Sequence, residues 1–310
     1  MSKAASGRHA TEEAPVKRFL LALTVVLVAC ATVAALAQAP PQAAPAGPAA
    51  EPFFFIQISD PQLGATTSDA DFAQEAADFE FAIATVNRLR PAFLIVTGDL
   101  VNKVGDPAQL AEYQRVSAKL DPAIPLYSVA GNHDVGNTPT KESLAAYIKL
   151  FGPDRYVVRR AGFVGIVLNS NIIAAPKDVP DEVAAQEQWL HKELDQARRD
   201  GTRHIVVIQH HPWFLKDPAE ADSYFNIVTE VRAKYLTLLK GAGVRAVIAG
   251  HLHRNALARD GDLEMITTGP ISRPSGEEKS GIRVFTVTGG GITHQYYDFG
   301  ALPNRVKMPQ

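Results

Sequence analysis

Six side chains in this sequence place hard oxygen or imidazole donors at the ends of apolar runs: Asp60, Asp99, Asn132, His210, His251 and His253. Carboxylate, amide oxygen and imidazole together suit a divalent Zn, Mn, Fe or Mg ion, not copper or an iron–sulfur cluster. Six donors exceed what one tetrahedral ion takes. Two ions sharing a carboxylate is the natural arrangement, and a pair about 3.5–4 Å apart is a common device for hydrolysing phosphate esters. The densest stretch is Gly131-Asn132-His133-Asp134, with an amide, an imidazole and a carboxylate in consecutive positions. His251 and His253 stand two apart, so an extended segment turns both to one side. Taken singly, each residue has an ordinary structural reading. Asp60 precedes Pro61 and could form a turn; Asp99 follows Gly98; Asn132 could occupy a left-handed position. His9, His191, His204 and His294 read as structural histidines. Five strand ends carrying donors together favour the chemical reading.

The elements that must position these donors follow from periodicity. Apolar runs at 53–58, 93–97, 124–130, 204–209 and 244–249 read as buried strands, each ending in one of the donors. In open α/β sheets, ligands sit beyond the carboxyl ends of strands. Helices are expected from about Asp71 to the residue before Pro91, then at 107–120, 140–151, 182–200 and 227–239. Strands at 156–160 and 163–169 read as a hairpin around Ala161-Gly162. After residue 250 strands follow strands, at 256–259, 263–268, 281–287 and 292–297. This order implies an α/β sandwich with sheet layers covered by helices and an antiparallel C-terminal portion. One domain is expected over 53–300, then a tail over 301–310.

The chain has 310 residues, 46% of them hydrophobic, and a net charge of -2. That charge gives no support to a nucleic-acid partner. The single cysteine, Cys30, lies in the N-terminal segment, so the body has neither disulfides nor a thiolate metal site. Lys17-Arg18 precedes an apolar run from Phe19 to Ala37, and Ala35-Leu36-Ala37 reads as a cleavage site for a signal peptide over 1–37. Two alternatives compete: a lipidated Cys30 after Leu27-Val28-Ala29, and a retained membrane anchor. All three imply export to the periplasm or the exterior, with a possible membrane tether. Residues 38–52 hold five Pro and six Ala, an Ala/Pro-rich linker.

Gly98-Asp99, Gly131-Asn132-His133-Asp134, His210 two before Pro212, and Gly250-His251-Leu252-His253 resemble, in order and spacing, the motifs of the calcineurin-like metallophosphoesterase superfamily. The resemblance spans residues 53–300 and is closest to the subgroup of calcineurin-like phosphoesterase domain-containing protein 1. It rests there on Asp60-Pro61-Gln62, Gly131 to Thr140, Tyr224-Phe225-Asn226 and His253 to Ala256. It implies a sandwich of two mixed β-sheets flanked by helices. It also implies two divalent metal ions and hydrolysis of phosphate esters, phosphomonoesters foremost, by a metal-bridging hydroxide. Asp99 would bridge the ions, with Asp60 and His253 on the first, and Asn132, His210 and His251 on the second. His133 would contact the phosphoryl oxygen or protonate the leaving group; beside this resemblance, Asp134 is read from its position as orienting His133. Most members carry Asp-x-His at the first motif, where this chain has Gln62, so a weaker or harder-ion first site is expected. Alternatives left open are an exported phosphodiesterase or nucleotidase, and a non-catalytic binder of metal or phosphoryl groups. Trp213 and Tyr224-Phe225 are candidates to wall the pocket.

Overall fold

The computed structural model describes residues 51–160 and 162–308. The segment expected to be a signal peptide or anchor, and nearly all of the expected linker, lie outside the described residues. Among these, no helix is long and apolar enough to cross a membrane.

Among the described residues, eleven strands form two mixed sheets. In the first, β1 (Phe53–Ile58) lies parallel to β2 (Leu94–Val96), which lies parallel to β3 (Leu126–Ser128). The other edge of β1 pairs antiparallel with β10 (Gly281–Thr288), which pairs with β11 (Gly291–Asp298). The second sheet runs β4-β5-β6-β7-β9-β8, from Tyr156–Arg160 and Phe163–Val167 through His204–Ile208 and Val244–Ala249 to Leu263–Thr267 and Ala256–Asp260. Its β5-β6-β7-β9 core is parallel and its two edges are antiparallel. The α/β sandwich of two mixed sheets is therefore observed.

Between the sheets, alternate residues of each strand form one apolar layer: Phe53 and Phe55, Phe93 and Ile95, Val206 and Ile208, Phe285 and Val287. Phe55 stacks on Phe93 and Phe285 at 4.6 and 4.7 Å and meets Phe163 of the opposite sheet at 5.7 Å. A larger layer lies under the helices, where Phe79, Val86, Val116, Tyr147, Leu190, Leu194 and Leu239 are buried.

Local chemistry sets the helix ends. α1 (Ala73–Leu89) stops at Arg90, in the left-handed region before Pro91. α2 (Pro107–Ser117) is capped by the Asp106 carboxylate, with Pro107 in its first turn. Thr140 caps α4 (Lys141–Phe151). α6 (Pro180–Arg199) and α7 (Thr229–Gly241) also match their expected helices within three residues. Two short helices were not expected: α3 (Asn132–Val135), inside the opening motif, and α5 (Ser170–Ala174). The third strand is shorter than its apolar run, because Ile124 closes a turn onto Asp121 and Pro125 has no N–H to give a ladder. The segment from residue 301 packs on the domain: Leu302 and Val306 touch the core, and Arg88 donates to the carbonyls of Pro303 and Asn304.

Candidate metal centre

Asp60 follows β1, Asp99 follows β2, Asn132 and His133 open α3, His210 follows β6, and His251 and His253 follow β7. These ends meet in two groups that share one carboxylate: Asp99, His210 and His251, and Asp60, Asp99 and His253. Within each group a donor atom from every residue lies within 4.8 Å of the others. His210 Nε2 sits 3.4 Å from Asp99 Oδ1, 3.2 Å from His251 Nδ1 and 3.0 Å from Asn132 Oδ1. His253 Nε2 lies 3.7 Å from Asp60 Oδ1.

Backbone carbonyls select the donor atom of each ring, because a carbonyl can only accept. His210 Nδ1 bonds Thr97 O (2.7 Å), His251 Nε2 bonds Tyr224 O (2.9 Å) and His253 Nδ1 bonds Arg273 O (2.7 Å). The other nitrogen of each ring turns to the acidic pair. The Asn132 amide is oriented likewise, its Nδ2 donating to Asn137 Oδ1 and Tyr224 OH.

The loops approach each other very closely. A Cβ on Gly131 would run into the amide and carboxylate of Asp99, and one on Gly250 into Ser59 and Asp60. Gly131 has φ -100°, so it serves close approach and not a left-handed turn. Four of the donors and their neighbour Gln62 stand in the left-handed region: Asp60, Gln62, Asp99, His251 and His253 have φ of 49°, 39°, 50°, 70° and 56°.

Charge is concentrated here. Burial opposes ionisation of Asp99, but the surrounding imidazoles, His210 foremost, outweigh it and hold the carboxyl well below its usual range. Burial likewise opposes protonation of His210, yet Asp99 raises it to about 9. His251 is pulled down to about 3 by burial and by His210, and burial raises Asp60. Converging carboxylates and imidazoles, each with a donor atom turned to its neighbours, fit divalent ions. So does the Gln62 carbonyl oxygen, which is buried with no protein partner while its Nε2 donates to Asn102 Oδ1 at 3.2 Å. Held by His210 Nε2, an ion would displace a proton from the ring.

His133 is partly exposed; its backbone N–H donates to Asp99 Oδ1 (2.8 Å) and its Nδ1 bonds Asn102 O (2.6 Å). The expectation that Asp134 orients His133 is corrected. Asp134 takes the backbone N–H groups of Leu100, Val101 and Gly131 at 2.9, 3.3 and 2.7 Å, so it locks two loops together. A carbonyl does the orienting, and no residue-type signal announces a carbonyl. His211 is set apart from His210: it meets Ser170 Oγ through Nδ1 at 3.1 Å.

Of the expected pocket walls, Trp213 is wholly buried and stacks on Tyr235 at 4.8 Å, so it belongs to the core. Tyr224 and Phe225 are 57% and 40% exposed, beside His251 at 4.9 and 5.9 Å. Tyr224 binds Asn132 through its hydroxyl and His251 through its carbonyl, a double tie that the sequence pattern did not disclose. Its loop is held from behind by Glu220, which accepts from Leu215, Lys216 and Asn226, and by buried Arg232, which donates to Ile227, Pro218 and Glu220 carbonyls.

Residues 55–255 match the family model described as calcineurin-like phosphoesterase. The chain is 37% identical over 269 residues to the serine/threonine-protein phosphatase CPPED1 of Bos taurus, covering 82% of this chain and 86% of that protein. Among solved structures, GAP50, the anchor in the inner membrane complex of Plasmodium, aligns at a TM-score of 0.59 and 18% identity, over 80% of this chain and 84% of that one. A dimetal phosphatase from Danio rerio aligns at 0.54 and 15%, over 79% and 99%. Both structural likenesses are likenesses of fold.

Proposed function

The chain belongs to the calcineurin-like phosphoesterase family and is a metal-dependent phosphoesterase, and from that premise we propose that it hydrolyses phosphomonoesters at a two-ion centre. Asp99 would be the shared ligand, Asp60 and His253 would complete one site with Gln62 beside them, and Asn132, His210 and His251 would complete the other. The observation that carries this reading is the pair of donor groups sharing one buried carboxylate. When bound, such ions offset charge on the phosphoryl oxygens and make water a nucleophile near neutral pH.

The remaining work falls to the protein's own groups. With Nδ1 committed to Asn102 O, His133 has Nε2 free to give or take a proton at the departing oxygen. Its backbone N–H positions the Asp99 carboxylate. Tyr224 and Phe225 offer an aromatic rim on the open side. CPPED1 is named for Ser/Thr phosphoproteins; here the cationic and apolar N-terminal segment supports a role outside the cytoplasm, on small phosphomonoesters.

The test compares p-nitrophenyl phosphate with its bis ester, using Mn-loaded protein. Preferential cleavage of the monoester is expected, with loss of turnover in Asn132→Ala. A preference for the bis ester would make the protein a phosphodiesterase instead. Metal uptake without hydrolysis of either would make it a binding protein.

A further inference from the structure

On the inner faces of the strands, the apolar layer gives way to polar side chains at the end nearest the metal centre. Along β1 the inward positions read Phe53, Phe55, Gln57; along β10 they read Val287, Phe285, Arg283. On the face of Ile95 in β2, Phe93 stands just before the strand and Thr97 just after it, and Ile266 of β9 is followed on its face by Thr268, just past the strand end. The four polar residues are at most 2% exposed, as are Ser59 and Asp60.

They form one directed hydrogen-bond chain. Arg283 Nε donates to Thr268 Oγ1 (2.7 Å), and Thr268 Oγ1 donates to Gln57 Oε1 (2.6 Å). Gln57 Nε2 donates to Thr97 Oγ1 (2.8 Å), and Thr97 Oγ1 donates to Ser59 Oγ (2.8 Å). Ser59 Oγ donates to Asp60 Oδ2. The direction is imposed at the start by the guanidinium, which only donates, and at the far end by Asp60 once it is ionised, as an ion ligand must be. In the middle, the carbonyl of Ala249 takes the second Nε2 proton of Gln57 and fixes that amide's orientation. Among the described residues, the polar partners of Arg283 are Thr268, Asn255 and His294, none of them acidic. The nearest carboxylates, Glu264 and Glu278, stand one group further out, on His294 and Asn255. Aligned donors polarise one another and strengthen the bond at the anionic end.

We propose that Arg283 is a remote positioning residue for the Asp60 ion site, coupled to the Asp60 carboxylate through Thr268, Gln57, Thr97 and Ser59. The chain holds Oδ2 in place and supports its negative charge, leaving Oδ1 towards His253. This rests on the reading of Asp60 as an ion ligand.

The test titrates metal-free protein with Mn(II), followed by calorimetry and by the electron paramagnetic resonance of bound Mn. Thr268→Val, which keeps volume and removes the hydroxyl, should weaken the Asp60 step about tenfold. The other step should stay within about twofold, and Thr268→Ser should restore the wild-type curve. Arg283→Met, which keeps the stem, should act in the same direction if Thr268→Val does not fold. Thr97→Val leaves its carbonyl on His210; added to Thr268→Val it should cost little more, because the chain is already open. Unchanged titration in both Thr268→Val and Arg283→Met, or full additivity with Thr97→Val, would overturn the proposal. Asp60→Asn serves as the control. Two undiminished steps there would instead remove Asp60 from the ligand set.

Discussion

Around His210, four donors from four loops converge: Asp99, Asn132, His210 and His251. Two of their rings are fixed on carbonyls, Asn132 is held by two acceptors, and all four residues are at most 3% exposed. Around Asp60 the protein supplies less. His253 is 16% exposed at its side chain, and at position 62 an amide oxygen replaces an imidazole. On the proposed two-ion reading, one site would be preorganised by direct contacts and buried, while the other would depend on a long polar support behind Asp60. The His210 half should hold its ion the more tightly, and the Asp60 half should exchange.

The largest effect is expected where the halves cannot be separated. Asp99→Asn should lower kcat/KM by about 10³-fold or more and reduce both Mn-binding steps, since this carboxylate serves each group. Loss of only one step would confine Asp99 to one half. Next, His210→Ala and His253→Ala should each leave one ion in a metal analysis, with the ion retained in His253→Ala dissociating more slowly than the one retained in His210→Ala. The reverse order would break the comparison. Gln62→His sharpens it, and should tighten only the weaker step, by about tenfold. Tyr224→Phe removes one hydrogen bond to Asn132 and should cost about 1 kcal/mol, a few-fold in kcat/KM.

The smallest effect comes from pH. Burial would raise the Glu220 carboxyl, but Asn226 and three backbone N–H groups outweigh it, so its pKa in the fold lies below the ordinary value. Its support of the Tyr224 loop is therefore complete above the ordinary carboxylate pKa and fades as pH falls through the depressed one. Between those pH values, Glu220→Gln should lose most of the acid dependence of amide-exchange protection at residues 215–226. Unchanged dependence would place the loop's anchor elsewhere, with Arg232 the remaining candidate.

Much of this was legible in the sequence because strand patterning and donor type are local properties. The runs ending at Asp60, Asp99, His210 and His251 were placed to within a few residues. What escaped was set by groups without a residue signature. The carbonyls of Asn102, Thr97, Tyr224 and Arg273 orient the rings, and Asp134 works on backbone amides. The short helix at Asn132–Val135 escaped as well, since four residues carry no readable period. Only one further signal was readable: the period-two faces of β1, β2 and β10 end in Gln57, Thr97 and Arg283, polar residues where a core pattern would continue.

The five residues of the centre with left-handed backbones bear on how this protein would respond to selection. Each non-glycine residue held there costs about 1 kcal/mol. Asp60 and Asp99 add buried negative charge in the same place. A search for heat-resistant variants conducted on metal-free protein would thus reward glycine or asparagine at these positions and erase the centre. Conducted with Mn present, the same search would penalise those changes. Resistance to heat and capacity for catalysis pull against each other at these five positions, and the ions decide which prevails.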